Sequence, residues 1–110
     1  MKQALLYDFY GELLTEHQKQ IYEDVVLNDY SLSEIAQDRG ISRQGVHDLI
    51  RRCNNILEEY ERKLRLLERF LQVKQLAGQI DSLIDAYKLE RDEELLTKIG
   101  ELTAQIREKL

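Results

Sequence analysis

The sequence predicts an all-α protein. Its 110 residues include no proline, the residue least compatible with the interior of a helix. Apolar residues recur at intervals of three and four along the chain, as in amphipathic helices, and no segment alternates apolar and polar residues as a half-buried strand does. These features predict an N-terminal helical bundle that contains a helix-turn-helix, followed by a long helix and a C-terminal helical hairpin.

Composition limits the compartment and the chemistry. With a single cysteine, Cys53, the chain cannot form an internal disulfide, so we expect a reducing compartment and a cytoplasmic protein. Residues 1–14 contain a short apolar stretch interrupted by Asp8 and Glu12, which predicts neither a signal peptide nor a membrane span. The spacing of cysteine and histidine is not that of a metal site, and we expect no cofactor.

The order of the first helices follows from residues that cap or end a helix. Apolar spacing over residues 5–14 predicts a first helix. Capping boxes that begin at Thr15 and at Ser31 predict the starts of the next two helices, because a hydroxyl there can accept a free backbone N–H of the first turn. The third helix is expected to end at Gly40, where a left-handed backbone costs little, and Ser42 is expected to cap its successor.

Residues 32–51 have the pattern of a helix-turn-helix. Ala36 is small enough to let two helices cross closely, and Gly40 can supply the turn between them. Val46 and Leu49 are spaced to pack from the second helix back onto the first. A three-helix core without a ligand would show much of the same pattern, so nucleic-acid binding is a hypothesis that rests on the outward face of the second helix.

That outward face carries the candidate DNA-binding residues. Gln44 can pair with adenine, and Arg43 can pair with guanine or with a phosphate. Residues 39–52 contain four arginines and one aspartate, a local charge of +3 in a chain whose net charge is −5. The aspartate, Asp48, opposes DNA binding unless it accepts a hydrogen bond from cytosine. The predicted DNA-binding residues are Arg39, Ser42, Arg43, Gln44, His47, Arg51 and Arg52.

The helix that begins at Arg43 is predicted to continue through Leu71, a length of about 44 Å at about 1.5 Å per residue. Its apolar residues recur in a heptad pattern typical of a coiled coil or bundle, which predicts a homodimer. Cys53 lies in this apolar seam and is predicted to be a core residue rather than a nucleophile. The predicted dimerisation residues are Leu57, Tyr60, Leu64, Leu67 and Leu71.

The apolar pattern shifts its register after Leu71, which predicts a helix boundary near Gln72. Asp92 is predicted to cap a last amphipathic helix. We therefore divide the chain into a helix-turn-helix DNA-binding domain at residues 1–55 and a helical dimerisation extension at residues 56–110, with the long helix continuous across the boundary.

The sequence predicts no enzyme. Ser42, His47 and Asp48 lie on one predicted helix, and their spacing does not place a hydroxyl against an oriented imidazole. The acidic clusters at residues 58–61 and 92–94 lack the ligand spacing of a calcium loop. The chemistry of the chain is therefore expected to be binding rather than catalysis.

Three segments resemble the YlxM family of helix-turn-helix proteins, which are encoded beside signal recognition particle genes in Gram-positive bacteria. They are LLYDFYGELLTEHQ at 5–18, DYSLSEIAQDRGISRQGVHDLIRRC at 29–53 and LEEYERKLRLLERF at 57–70. The middle segment is also similar to region 4 of bacterial sigma factors, which reads promoter DNA. The family usually has alanine where this chain has Gly45, a difference that lowers helix stability by about 0.5–1 kcal/mol.

The resemblance implies a DNA-binding regulator of transcription, with a link to protein targeting by the signal recognition particle. As a homodimer it would recognise a palindromic duplex whose half-sites are spaced by whole helical turns. The alternative is a scaffold or adaptor that does not bind DNA and contacts protein or RNA of the signal recognition particle, a reading that the net charge of −5 favours. Neither reading involves membrane insertion.

Overall fold

The computed structural model describes residues 2–110, and every regular element within this range is helical. This confirms the all-α prediction. Two short segments, Gly11–Leu13 and Glu23–Leu27, form 3-10 and π-helical turns. The α-helices are α1 (Lys2–Tyr10), α2 (Glu16–Tyr22), α3 (Leu32–Arg39), α4 (Arg43–Leu64), α5 (Leu66–Glu90) and α6 (Glu93–Lys109).

The capping residues define the starts of the helices in the first half of the chain, as predicted. The Thr15 hydroxyl accepts the Gln18 N–H at 3.2 Å, and the Gln18 side chain accepts the Thr15 N–H at 2.9 Å, which completes a capping box before α2. The hydroxyls of Ser31 and Ser42 accept the N–H groups of Glu34 and Gly45 at the starts of α3 and α4; of the capping box predicted at Ser31, this is the bond that the structure shows. Local hydrogen bonding therefore places the starts of α2, α3 and α4.

The chain divides into two compact units, of which the first ends at Leu67. Within the first unit, a smaller apolar cluster joins α2, α3 and α4, and a larger one joins α1, the end of α2, α4 and the start of α5. The smaller cluster contains Ile21, Ile35, Ala36 and Val46. The larger cluster contains Leu6, Tyr10, Leu14, Tyr22, Cys53, Leu57 and Leu67. α4 contributes to both clusters, so its rotation about its own axis is fixed along most of its length.

The long helix predicted from Arg43 to Leu71 is interrupted. α4 ends at Leu64, and Arg65 adopts a left-handed backbone with a φ of 54°. α5 then passes through Gln72 without a break. The predicted continuity to Leu71 and the predicted boundary near Gln72 are therefore both wrong.

Partly buried hydrogen bonds stabilise the break at Arg65. The Tyr10 hydroxyl donates to Glu61 Oε1 at 2.6 Å and accepts the Leu66 N–H at 3.1 Å. The same Glu61 oxygen accepts the Leu67 N–H at 3.0 Å. Because the first amides of a helix have no partner within that helix, the Tyr10–Glu61 pair caps α5 from outside it. Tyr10 and Leu66 are 56 positions apart, so local spacing carries no signal of this cap.

The second compact unit, Glu68–Leu110, consists of most of α5 and all of α6. Arg91, with a φ of 54°, follows α5, and Asp92 Oδ1 accepts the Glu94 N–H at 3.0 Å, so Asp92 caps α6 as predicted. Leu76 is buried in this unit, whereas α6 has no fully buried residue. Among the helices of residues 2–110, none is both long enough and apolar enough to cross a membrane.

Candidate nucleic-acid interface

α3 and α4 form the predicted helix-turn-helix. Gly40 ends α3 with a left-handed φ of 66°, and the Ile41 N–H donates to the Ala36 carbonyl at 3.1 Å, which closes the turn. Ser42 then caps α4. Ala36 and Val46 are buried together where the two helices cross, as the sequence pattern indicated.

The buried residues of α4 determine which side chains it presents outward. Val46 and Cys53 are fully buried, and Leu49 and Ile50 pack against the same clusters. Burial also raises the pKa of the Cys53 thiol, which fits the prediction of a core residue rather than a nucleophile. The opposite side of the helix carries the exposed or half-exposed side chains of Arg43, Gln44, His47, Asp48, Arg51 and Arg52.

The Asp48 carboxylate lies at the centre of this outward face. Its Oδ1 atom accepts a hydrogen bond from Gln44 Nε2 at 3.0 Å and lies 3.5 Å from Arg51 Nη2. His47 Nδ1 lies 3.8 Å from the same oxygen. We call Gln44, His47, Asp48 and Arg51 the Asp48 network. Three of the predicted DNA-binding residues are therefore organised around an acidic side chain.

Arg39 is placed differently from the other predicted DNA-binding residues. Its guanidinium donates to Gln20 Oε1 at 3.0 Å and lies 3.5 Å from Asp24 Oδ2. These contacts hold the end of α3 against α2 and the π-helical turn that follows. A phosphate contact by Arg39 would have to replace or share these partners.

The start of α4 is suited to an anion. The Ser42 hydroxyl accepts the Gly45 N–H at 2.9 Å, and the Ser42 carbonyl accepts the Val46 N–H at 3.1 Å. The amides of Arg43 and Gln44 precede the first bond of the helix and point along its positive end. The first turn of α4 contains no acidic residue, so nothing in that turn opposes a phosphate there.

A surface cleft of about 210 Å³ lies along the outward face and is lined by Asp48, Arg51, Arg52 and Asn55. Asn55 is not among the DNA-binding residues that the sequence predicts. Helical periodicity would have included it, because Asn55 follows Arg51 by four positions and lies on the same face. Within residues 2–110, no group of three or more histidine, cysteine, aspartate or glutamate side chains is arranged to hold a metal ion.

Comparison with known proteins identifies the family of this helix-turn-helix. The sequence model of UPF0122, described as "Putative helix-turn-helix protein, YlxM / p13 like", matches residues 1–99. The chain belongs to the UPF0122 family. The UPF0122 protein of Thermoanaerobacter sp. (strain X514) is 45% identical over 106 residues, which cover 96% of this chain and 91% of that protein.

Other members of the UPF0122 family match over similar lengths. The protein of Geobacillus sp. (strain WCH70) is 44% identical over 102 residues, covering 93% of this chain and 92% of its own length. The protein of Acetivibrio thermocellus is 45% identical over 109 residues, covering 89% of this chain and 93% of its own. The family description names a helix-turn-helix protein and no catalytic activity, and the resemblance identified in the sequence is confirmed.

The structure changes the meaning of the heptad pattern in this UPF0122 chain. Leu57 and Leu67, two predicted dimerisation residues, are 0% and 3% exposed and lie in the larger apolar cluster of the chain itself. Tyr60 is half-buried, and its ring stacks on Tyr10 with centroids 6.1 Å apart. The pattern therefore reflects intramolecular packing at these positions. Leu64 and Leu71 are each 44% exposed.

Proposed function

We propose that this UPF0122 protein binds duplex DNA by inserting the outward face of α4 into the major groove. The observation that carries the proposal is the pairing of a helix-turn-helix with an outward face of hydrogen-bonding side chains, Gln44, His47 and Arg51. A major groove admits one α-helix, and such side chains are those that recognise base edges there. The protein acts by binding and not as an enzyme.

The arginines beside this face contact phosphates in the proposed complex. Arg43 at the start of α4 and Arg52 at the edge of the outward face are both exposed. Phosphate contacts from such residues fix the position of the helix on the duplex. The start of α4, with the Ser42 cap and the amides of Arg43 and Gln44, accepts a further phosphate oxygen.

The overall charge favours selective binding over general binding. The chain carries a net charge of −5, and residues 39–52 carry +3, which leaves −8 on the rest of the sequence. Negative charge outside the interface repels DNA that the arginines do not engage. A cytoplasmic regulator of transcription with this distribution binds weakly to random DNA and depends on base contacts for its affinity.

A homodimer would present two such helices to one duplex. Leu71 in α5 belongs to the predicted dimer seam and is 44% exposed, which leaves apolar surface for a second copy. Two copies of the helix-turn-helix would recognise a palindromic site whose half-sites are whole helical turns apart.

The DNA-binding proposal is tested by measuring affinity for duplex DNA across salt concentrations. Arg43→Ala and Arg52→Ala should each lower affinity and reduce the slope of log affinity against log salt by about 0.9, because each removes about one phosphate contact. Arg62→Ala is the matched control, since it removes the same charge near the other end of α4, where Arg62 pairs with Glu59. Equal slopes in all four proteins would contradict the proposal.

A second candidate function is favoured by the acidic charge of the chain and by the carboxylate at the centre of the outward face. In it, the chain is a scaffold that contacts protein or RNA of the signal recognition particle without binding DNA. If the wild-type chain shows no salt-dependent binding to duplex DNA but binds the particle RNA or protein, and this binding survives Arg43→Ala, the second function replaces the first.

A further inference from the structure

The outward face of α4, residues 43–52, contains one acidic side chain, Asp48, and its carboxylate is surrounded by hydrogen-bond donors. Asp48 Oδ1 accepts a hydrogen bond from Gln44 Nε2 at 3.0 Å and lies 3.5 Å from Arg51 Nη2. Asp48 and Arg51 are one helical turn apart, so both side chains point in the same direction from the helix. The pair presents an acceptor directly beside a donor.

The contact with Asp48 also limits what Gln44 can do. A two-bond contact with adenine requires the amide to donate from Nε2 and to accept at Oε1. Here one of the two Nε2 hydrogens already donates to Asp48, and the second hydrogen and Oε1 stay open to a base. An adenine contact by Gln44 must therefore fit the amide orientation that Asp48 imposes, and Asp48 and Arg51 are the acceptor and donor beside it.

Only one base edge suits a carboxylate in the major groove. Guanine presents two acceptors, thymine presents an acceptor and a methyl group, and adenine presents an amino group beside the acceptor N7. Cytosine presents its N4 amino group with no acceptor of its own next to it, and its partner guanine presents O6 and N7, which are preferred sites for arginine. A C·G pair therefore offers a donor beside acceptors, the complement of Asp48 beside Arg51.

We propose that Asp48 and Arg51 together read one C·G base pair, with the Asp48 carboxylate accepting from the cytosine amino group and the Arg51 guanidinium donating to guanine. This assignment rests on the proposed DNA-binding function and adds its specificity. Asp48 also repels the phosphates of a misplaced duplex, so a single carboxylate both selects the matching base pair and weakens binding elsewhere.

The test is a selection of bound sequences from a random duplex pool, followed by affinity measurements on the selected site and on versions with one base pair changed. The wild-type pool should be enriched in C·G at one position. Asp48→Asn should lower the discrimination at that position about tenfold, a change of the size of one specific base contact. It should not lower affinity for random duplex, because it removes a repelling charge.

Two further variants sharpen the result. Asp8→Asn removes the same charge from an exposed position on α1 and should leave the base preference unchanged. Arg51→Lys keeps the positive charge but loses the planar donor pair, so it should lose the guanine preference while the salt slope stays close to that of the wild type. Circular dichroism of each variant checks that the helical content is retained.

Three other outcomes would contradict the base-pair assignment, and one of them would also contradict the DNA-binding proposal. If the Asp48→Asn pool keeps the wild-type preference, the base assignment is wrong and the DNA-binding proposal stands. The same holds if the wild-type chain binds duplex with the expected salt slope but enriches no C·G position. If the wild-type chain does not bind duplex DNA at all, both proposals fail.

Discussion

Tight packing around single residues shapes the first unit. The Tyr7 ring stacks on Tyr22 with centroids 5.3 Å apart, and its hydroxyl donates to Glu23 Oε1 at 2.5 Å. A Cβ atom at Gly11 would lie 2.8 Å from Tyr7 Cε1. Because the Tyr7 ring is held by Tyr22 and by Glu23, it cannot easily move aside. Glycine is needed at position 11 for space rather than for an unusual backbone angle.

Gly11→Ala is expected to lower the free energy of unfolding by about 1–3 kcal/mol, the usual cost of forcing an extra carbon into a packed site. Gly100→Ala is the matched control, because a Cβ there meets nothing within 4 Å and position 100 lies inside α6. The control should raise stability by about 0.5–1 kcal/mol through better helix propensity. Urea unfolding followed by circular dichroism measures both, and equal effects would contradict the packing argument.

The burial of Tyr22 predicts that the folded chain loses stability at alkaline pH. Burial raises the pKa of Tyr22 to about 12 from the ordinary value of 10.0. The unfolded chain therefore releases this proton at a lower pH than the folded chain does, and stability that is fully present below pH 10 is lost as pH rises toward 12. Desolvation also raises the pKa values of Tyr7 and Tyr10, which act in the same direction.

Tyr22→Phe tests this dependence. The variant should be less stable than the wild type at pH 8, because it loses the hydrogen bond that the Tyr22 hydroxyl donates to Asn54 at 2.6 Å. Its unfolding midpoint in urea should then fall less steeply than the wild-type midpoint between pH 10 and pH 12. Parallel curves for the two proteins would show that the pKa of Tyr22 is the same in the folded and the unfolded chain.

Among the helices, the boundary between α4 and α5 separates what local rules predict from what they miss. The starts at Thr15, Ser31 and Ser42 are predictable because the capping side chain and the amide it accepts are three residues apart. The end at Arg65 is not, because a non-glycine residue takes a left-handed backbone there. The groups that stabilise it come from α1 and from the preceding turn of α4.

Tyr10→Phe is expected to destabilise this boundary by about 1–3 kcal/mol, because the Leu66 N–H loses its acceptor and Glu61 loses a donor. Hydrogen exchange at the amides of Leu66 and Leu67 should accelerate more than exchange within the centre of α4. Tyr30→Phe removes a hydroxyl from a ring that is 49% exposed and should leave both quantities nearly unchanged. Unchanged exchange in Tyr10→Phe would show that Tyr10 does not cap α5.

At the scale of the whole molecule, the fold of one chain accounts for only part of the heptad pattern. Leu57 and Leu67 are buried in the core of the first unit, whereas Leu71 is 44% exposed. Sequence periodicity cannot distinguish burial within one chain from burial between two copies, because a core helix and a coiled coil bury residues at the same spacing. The proposed dimer therefore depends on fewer residues than the sequence pattern indicated.

Leu71→Glu is expected to weaken the proposed homodimer without unfolding the chain, since it places a charge on exposed apolar surface. Sedimentation velocity should show the wild type at twice the chain mass of 13.1 kDa and the variant shifted toward a single chain. Leu13→Glu, at a 54% exposed position outside the predicted seam, is the control and should sediment as the wild type does. A wild-type chain that is monomeric at all concentrations would contradict the dimer.

The sequence by itself determined the helical class, the capped helix starts and the helix-turn-helix, because each depends on residues within one or two turns of one another. Only the tertiary structure decided where the long helix breaks and which apolar residues are already buried, because both depend on contacts between distant parts of the chain. The contacts of Asp48 with Gln44 and Arg51 lie within one helix, and helical spacing places these side chains together but leaves the choice of side-chain orientation open.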